Sequence, residues 1–255
     1  MDLSDKVSLV TGAGSGIGRA AAIRLAHEGS RVVITDVNED GLDQTRKTIE
    51  SAGGEVLSHC AELASVEDIQ GLVDACDERF GVLHILINNA GTHSGGPVES
   101  FTPEEWDRVH AVNAKAPFFL VQRALPLMKR AGQAAIVNVS SMAGVLGMDS
   151  MPVYCSSKGA VVALTRALAF DLAPFGIRVN CVCPGPTNTA QPATFLAHFS
   201  EAEQARLKET WYDRLILKRS AEPEEVANTV VFLASDEASF TTGLIMPVDG
   251  GYAAW

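Results

Sequence analysis

The 255-residue sequence predicts an α/β fold: one doubly wound parallel sheet of about seven strands with helices on both faces. Three observations carry this expectation. Short apolar runs rich in Val, Ile and Leu alternate with longer amphipathic stretches from one end of the chain to the other. The apolar runs lack polar alternation, so both of their faces need cover. A glycine-rich turn joins the first apolar run to the first amphipathic stretch.

The strands are expected at 7–10, 31–35, 55–58, 85–88, 135–139, 178–182 and 244–248. Helices are expected at 17–28, 41–52, 66–80, 103–130, 152–174 and 223–235. Several helix ends carry their own signals. Ser65 stands before the acids Glu67 and Asp68, as a capping residue would. Thr102-Pro103 and Glu222-Pro223 each put proline at the first helical position, while Gly29, Gly53, Gly81 and Gly132 sit where helices should stop. No linker or low-complexity stretch divides the chain, so residues 1–255 are read as one domain.

One segment breaks the rhythm. Roughly 40 residues separate Cys183 from Pro223, far above the usual connection length. Within it, 192–210 reads as helical and mixes Phe195, Leu196, Phe199 and Leu207 with charges; Trp211 and Tyr212 follow. An insertion beyond the carboxyl end of a strand lies where such sheets bind ligands. Residues 190–215 are therefore read as a lid with substrate-facing apolar side chains, a surface elaboration or subunit contact being the alternative.

Composition narrows the partners. A net charge of −11 argues against non-specific binding to nucleic acid or anionic membrane. No apolar run approaches the ~20 residues of a membrane helix, and the polar opening Met1-Asp2-Leu3-Ser4 does not resemble a signal peptide. Five cysteines without a C-x-x-C pair read as reduced, buried thiols of a cytoplasmic protein. Cys181 and Cys183 would share one strand face. The histidines (His27, His59, His84, His93, His110 and His198) show no metal-ligand spacing, so no metal is expected.

The first turn reads Thr11-Gly12-Ala13-Gly14-Ser15-Gly16-Ile17-Gly18. Its glycines let backbone approach a pyrophosphate, and the following helix N-terminus offers free N–H groups and a positive dipole end. The second strand ends at Asp36, about 20 residues on, where a carboxylate can accept both hydroxyls of an adenine ribose and repel a 2′-phosphate. Val37 and Ser15 supply no cation for that phosphate, so NAD is expected over NADP. A strand-end Asp that merely caps the next turn is the alternative reading.

Tyr154 and Lys158 lie four residues apart at a helix start and so project from one face. Ser140-Ser141 ends one strand, Asn88-Asn89-Ala90-Gly91 ends another, and Asn113 lies in the long helix that follows. Tyr, Lys, Ser and Asn are what metal-free carbonyl reduction requires. A phenol with a pKa near 10 is a poor base at neutral pH. A neighbouring ammonium stabilises its phenolate, and a Ser hydroxyl can hold the substrate oxygen as its charge changes.

Taken together, TGAGSGIG, NNAG, the SS pair followed by YCSSK, the helix Asn and PGPTNT resemble the short-chain dehydrogenase/reductase family, in order along essentially the whole chain. The resemblance implies a Rossmann-type domain and an NAD-dependent oxidoreductase acting on a secondary alcohol or ketone, usually a homotetramer built through its long helices and last strand. It implies Tyr154 as general acid/base, Lys158 as its partner and ribose ligand, Ser141 rather than Ser140 on the substrate oxygen, and Asn113 on a water relay. It places Gly12, Ser15, Gly16, Ile17, Gly18, Asp36 and Val37 at the cofactor, with Asn89, Ala90 and Gly91 on its adenosine side. Pro184, Gly185 and Thr189 would border the nicotinamide, with Thr187 on its carboxamide.

Two departures stand out. Where the family often has Asp-Val against adenine, this chain has Glu62-Leu63, and Cys155 directly follows Tyr154, either tuning the pocket or filling space. His93, Phe195 and Trp211 are candidate substrate contacts, with a plain polar loop the alternative at His93 and Ser94. The aromatic lid hints at an apolar, cyclic or aromatic substrate. The C-terminal Tyr252-Ala253-Ala254-Trp255 reads as a buried tail or subunit contact. Competing functions are a 3-oxoacyl-thioester reductase, disfavoured by Asp36 and the acidic surface, and a non-catalytic NAD-binding scaffold or redox sensor.

Overall fold

The computed structural model describes residues 1–190, 195–197 and 199–254. Seven strands form one sheet: β1 Val7–Thr11, β2 Arg31–Asp36, β3 Val56–Cys60, β4 Ile85–Asn88, β5 Ala134–Val139, β6 Ile177–Pro184 and β7 Ile245–Val248. Their order is β3-β2-β1-β4-β5-β6-β7, and every pair is parallel. The order reverses between β1 and β4, which opens a crevice at the carboxyl ends of those strands.

Register explains why the strands are apolar on both faces. Leu9 pairs with Val33 and Leu86, Leu86 with Ile136, and Ile136 with Val179. All five point into one core, shared with α3 (Val66–Phe80), α5 (Ala116–Ala131) and α6 (Pro152–Leu172). One residue further along, Val10, Ile34, Ile87 and Val137 point the opposite way. That second core is shared with α1 (Gly16–His27), α2 (Glu39–Ser51) and α8 (Pro223–Ala234). The period of two thus feeds two helical layers.

The expected caps form. Ser65 accepts the Asp68 N–H at 3.1 Å, Thr102 accepts that of Glu105 at 3.2 Å to open α4 (Pro103–His110), and Glu222 and Glu225 cap α8 reciprocally. The lid helix differs from its expected span. Helix α7 runs from Glu201 to Arg214 behind a Ser200–Glu203 capping box, which stops it from continuing back towards Phe199. Pro192 and His198 of the expected lid, and Trp255 of the tail, lie outside the described residues.

The expected single helix 103–130 also differs. Between α4 and α5, Ala111–Lys115 form a π-turn in which the Ala116 N–H reaches back five residues to Ala111 O. Asn113 sits in this turn, 1% exposed. Its Oδ1 accepts the Thr92 N–H at 2.8 Å, and its Nδ2 donates to Thr92 O at 2.8 Å and Ser157 Oγ at 2.9 Å. The widened turn aims Asn113 at the loop after β4 and at α6, which a regular helix would not do without shifting register.

Candidate active site

A cavity of about 680 Å³ opens along the carboxyl edge of the sheet. The glycine loop forms one end. At Gly12 (φ 64°) a Cβ would come within 2.8 Å of Asn89 Nδ2, so glycine alone lets the end of β4 lie against the loop. Asn89 Nδ2 donates to Thr11 O at 2.9 Å, and Thr11 Oγ1 accepts the N–H groups of Asn89 and Ala90. Helix α1 then starts at Gly16 with no side-chain cap from Ser15 and no acid in its first turn, so its N-terminal amides have no side-chain cap where Ser15, Gly16 and Ile17 line the cavity.

Asp36 lines this end, and both of its oxygens already receive backbone donors. Oδ2 accepts the Gly14 N–H at 2.9 Å and Oδ1 the Asn38 N–H at 3.0 Å. The turn-capping alternative and the ribose reading are therefore compatible, because a carboxylate has about four lone-pair positions. Arg19 stitches the loop from outside, donating to Gly14 O and, at 3.0 Å, to Thr45 Oγ1.

At the centre, α6 presents Tyr154 and Lys158 on one face. Tyr154 and Ser141 line the cavity together, and Ser141 Oγ accepts the Ala143 N–H at 3.1 Å. Ser140, by contrast, turns inward and donates to Lys158 O at 2.8 Å. Lys158 Nζ lies 5.9 Å from the Tyr154 ring centroid and donates to Val139 O at 3.0 Å. It also faces Gly91 beside Asn113: a Cβ on Gly91 would stand 3.2 Å from Lys158 Nζ and 3.4 Å from Asn113 Oδ1.

Electrostatics differ from the expectation of a depressed phenol. Burial pushes Tyr154 up to about 12, the nearby Ser141 hydroxyl opposing it, and burial brings Lys158 down to about 8. Each group is driven towards its neutral form because both leave water. The ammonium lies along the ring, 5.9 Å from its centroid, and does not offset the burial of the hydroxyl.

The far end is apolar. Phe195 packs with Leu196 and Leu207 in a buried cluster, with Phe199 and Trp211 against it, and Phe195 and Trp211 also face the cavity. His93 meets the Phe195 ring edge-on at 6.0 Å. Sequence reasoning missed Met142, Met148 and Met151, which line the same wall. The signal was available: the loop joining the Ser141 strand to the Tyr154 helix has to border whatever those two residues share.

Of the predicted cofactor residues, Gly12, Ser15, Gly16, Ile17, Asp36, Asn89, Ala90, Gly91, Pro184, Gly185, Thr187 and Thr189 line the cavity. Val37 is 60% exposed outside it, Leu63 is built into the core below the sheet, and Glu62 turns its carboxylate back to the Ala64 N–H. Gly18 lies inside α1, where it packs on Gly12. Asn113 reaches the cavity only through Gly91. Cys155 is half-buried outside it, and Cys181 and Cys183 are fully buried with sulfurs 3.9 Å apart, on one face as expected.

The fold and cavity define a class: an α/β protein with a nucleotide-type loop and a Tyr–Lys–Ser group at one sheet edge. A family model described as enoyl-(acyl carrier protein) reductase matches residues 12–253. An uncharacterised oxidoreductase of Thermotoga maritima is 42% identical over 254 residues, covering 100% of both chains. Cyclohexanol dehydrogenase of an Acinetobacter species is 38% identical, over 98% of this chain and 96% of the other. The crystal structure of levodione reductase, 35% identical, superposes with a TM-score of 0.93 over 99% of this chain and 100% of that one. The chain belongs to the short-chain dehydrogenase/reductase family.

Proposed function

We propose that this protein interconverts a secondary alcohol and its ketone with NAD as hydride carrier. The observation that carries the reading is that Ser141, Tyr154 and Lys158 line one cavity whose other end holds Asp36 and the uncapped start of α1. The cradle fits a dinucleotide: the α1 amides would hold the pyrophosphate, and Asp36 would accept the ribose hydroxyls. When bound, the nicotinamide supplies or accepts the hydride.

Ser141 holds the substrate oxygen beside the Tyr154 hydroxyl. At neutral pH a phenol near 12 is fully protonated and donates to the oxygen of a ketone being reduced. In the oxidative direction the phenol must first release its own proton to solvent; the phenolate then takes the alcohol proton, and the Lys158 cation, mostly charged below pH 8, would stabilise that phenolate. Asn113 beside Lys158 and Gly91 offers a route by which water returns the proton to solvent. Water is kept from the reacting atoms by Phe195, Trp211 and the methionine wall, which suit an apolar ring.

A carrier-linked 3-oxoacyl thioester is the second reading, favoured by a 37% identical relative of Thermotoga maritima named as a 3-oxoacyl-(acyl-carrier-protein) reductase. Asp36 and the net charge of −11 oppose it, since that chemistry calls for an acidic carrier. The test is an absorbance assay at the nicotinamide band with cyclohexanol, cyclohexanone and an acetoacetyl thioester, each with NAD(H) and NADP(H). Turnover of the alcohol with NAD is expected, and Tyr154→Phe should lower kcat/KM by about 10²–10⁴ while NADH binding by fluorescence persists. Full activity in that variant overturns the mechanism, and thioester turnover with NADPH alone overturns the substrate class.

A further inference from the structure

The segment after β7 packs behind the substrate wall, although none of its described residues lines the cavity. Asp249 folds it back: its carboxylate accepts the N–H groups of Gly251 and Ala253, both at 2.9 Å. Gly250 and Gly251 take φ of 62° and 83°, and a Cβ on either would press on Leu215–Leu217 (3.2 Å from Leu215 at Gly250, 2.7 Å from Ile216 at Gly251). Two glycines are therefore required for the turn to lie flat on the exit from α7. The Leu217 N–H donates to Gly250 O at 3.1 Å and ties the two segments together.

This turn drives Tyr252 inward, to 2% exposure. Its ring packs in a cluster with Met142 and Leu215, against which Met148 and Leu146 lie, and the Arg214 guanidinium sits 5.0 Å from the ring centroid. Met142 and Met148 belong to the cavity wall, and Leu215 ends the helix that brings Trp211 and Tyr212 to it. One aromatic side chain thus backs both the fixed wall and the lid. Methionine is flexible and keeps whichever shape its backing allows.

We infer that Tyr252 is a specificity-determining positioning residue, setting through Met142 and Met148 how large a ring substituent the site accepts. The inference rests on the proposed alcohol–ketone reaction. Removing the ring lets the methionines relax outward, which lengthens the pocket without touching Tyr154, Ser141 or the nucleotide cradle.

The experiment compares kcat and KM for cyclohexanol and 4-tert-butylcyclohexanol in the wild type, Tyr252→Ala, Tyr252→Leu and Tyr252→Phe, with NADH binding followed by fluorescence. Tyr252→Ala should shift the kcat/KM ratio towards the bulky alcohol by roughly tenfold, mostly through KM. NADH affinity should stay unchanged, and Tyr252→Phe should restore the wild-type ratio. Tyr252→Leu keeps an apolar filler for the case in which the alanine variant does not fold, and should shift the ratio the same way by less. An unchanged ratio in the folded variants, or equal loss for both alcohols together with loss of NADH binding, overturns the inference alone. A wild type inactive on every alcohol removes both this and the functional reading beneath it.

Discussion

Burial pushes Lys158 and Tyr154 each towards its neutral form, and the sign of the two shifts sets a pH profile. Reduction of a ketone needs the protonated phenol, which a value near 12 preserves across the working range. It also needs the ammonium, and a lysine brought down to about 8 loses its proton above that pH. In the free enzyme kcat/KM for reduction should therefore be flat below pH 8 and fall about tenfold per unit above it. A Lys158→Arg variant cannot titrate there and should stay flat if it retains activity. The check is a pH–kcat/KM series with cyclohexanone and NADH between pH 6 and 10. A descending limb that begins well below 7 or is absent up to 10 would remove Lys158 from this role.

At the scale of elements, the strands and most helix ends could be read from sequence because their causes are local. Ser65, Thr102 and Glu222 each satisfy amides within three residues, and the Leu9 and Val10 faces follow from the strand period. The π-turn at Ala111–Lys115 was not legible, because its cause is tertiary: Asn113 has to meet Thr92 and Ser157 on two other segments. The burial of Leu63 was not legible for the same reason, since its apolar side chain is claimed by the core below the sheet. Asp36 was half legible; its reach to Gly14 depends on how closely β2 lies beside the loop.

The π-turn makes a prediction of its own. Asn113→Ala removes three hydrogen bonds, one buried and two part-buried, and leaves the Thr92 backbone unpaired, a cost of about 2–3 kcal/mol. In a domain of this size that lowers Tm by several degrees, at about 2–4 °C per kcal/mol. Thermal unfolding with and without NADH measures it. If the melting temperature is unchanged, the stitch is not what holds this turn.

On the scale of the whole molecule, chemistry and support separate along the sheet. The carboxyl edge carries the cavity, while at the opposite edge Arg178 donates to Leu233 O and Ser235 O and so closes the end of α8. One exposed feature is the flank of β7, an outer strand whose second edge pairs with nothing among the described residues. Phe240 just before it is fully exposed and Phe170 on α6 is 84% exposed, with Gly243 packed on neighbouring Ala169. Large aromatics beside an open strand edge are a surface that a subunit contact would cover. With the family resemblance pointing to a homotetramer, light scattering should give a mass about four times that of the 27.0 kDa chain. Phe240→Asp places a charge in that contact and should lower the mass while leaving the melting of the isolated subunit near wild type. A 27.0 kDa particle at micromolar concentration for the wild type, or an undiminished mass for Phe240→Asp, would mean that these aromatics serve no assembly of this chain.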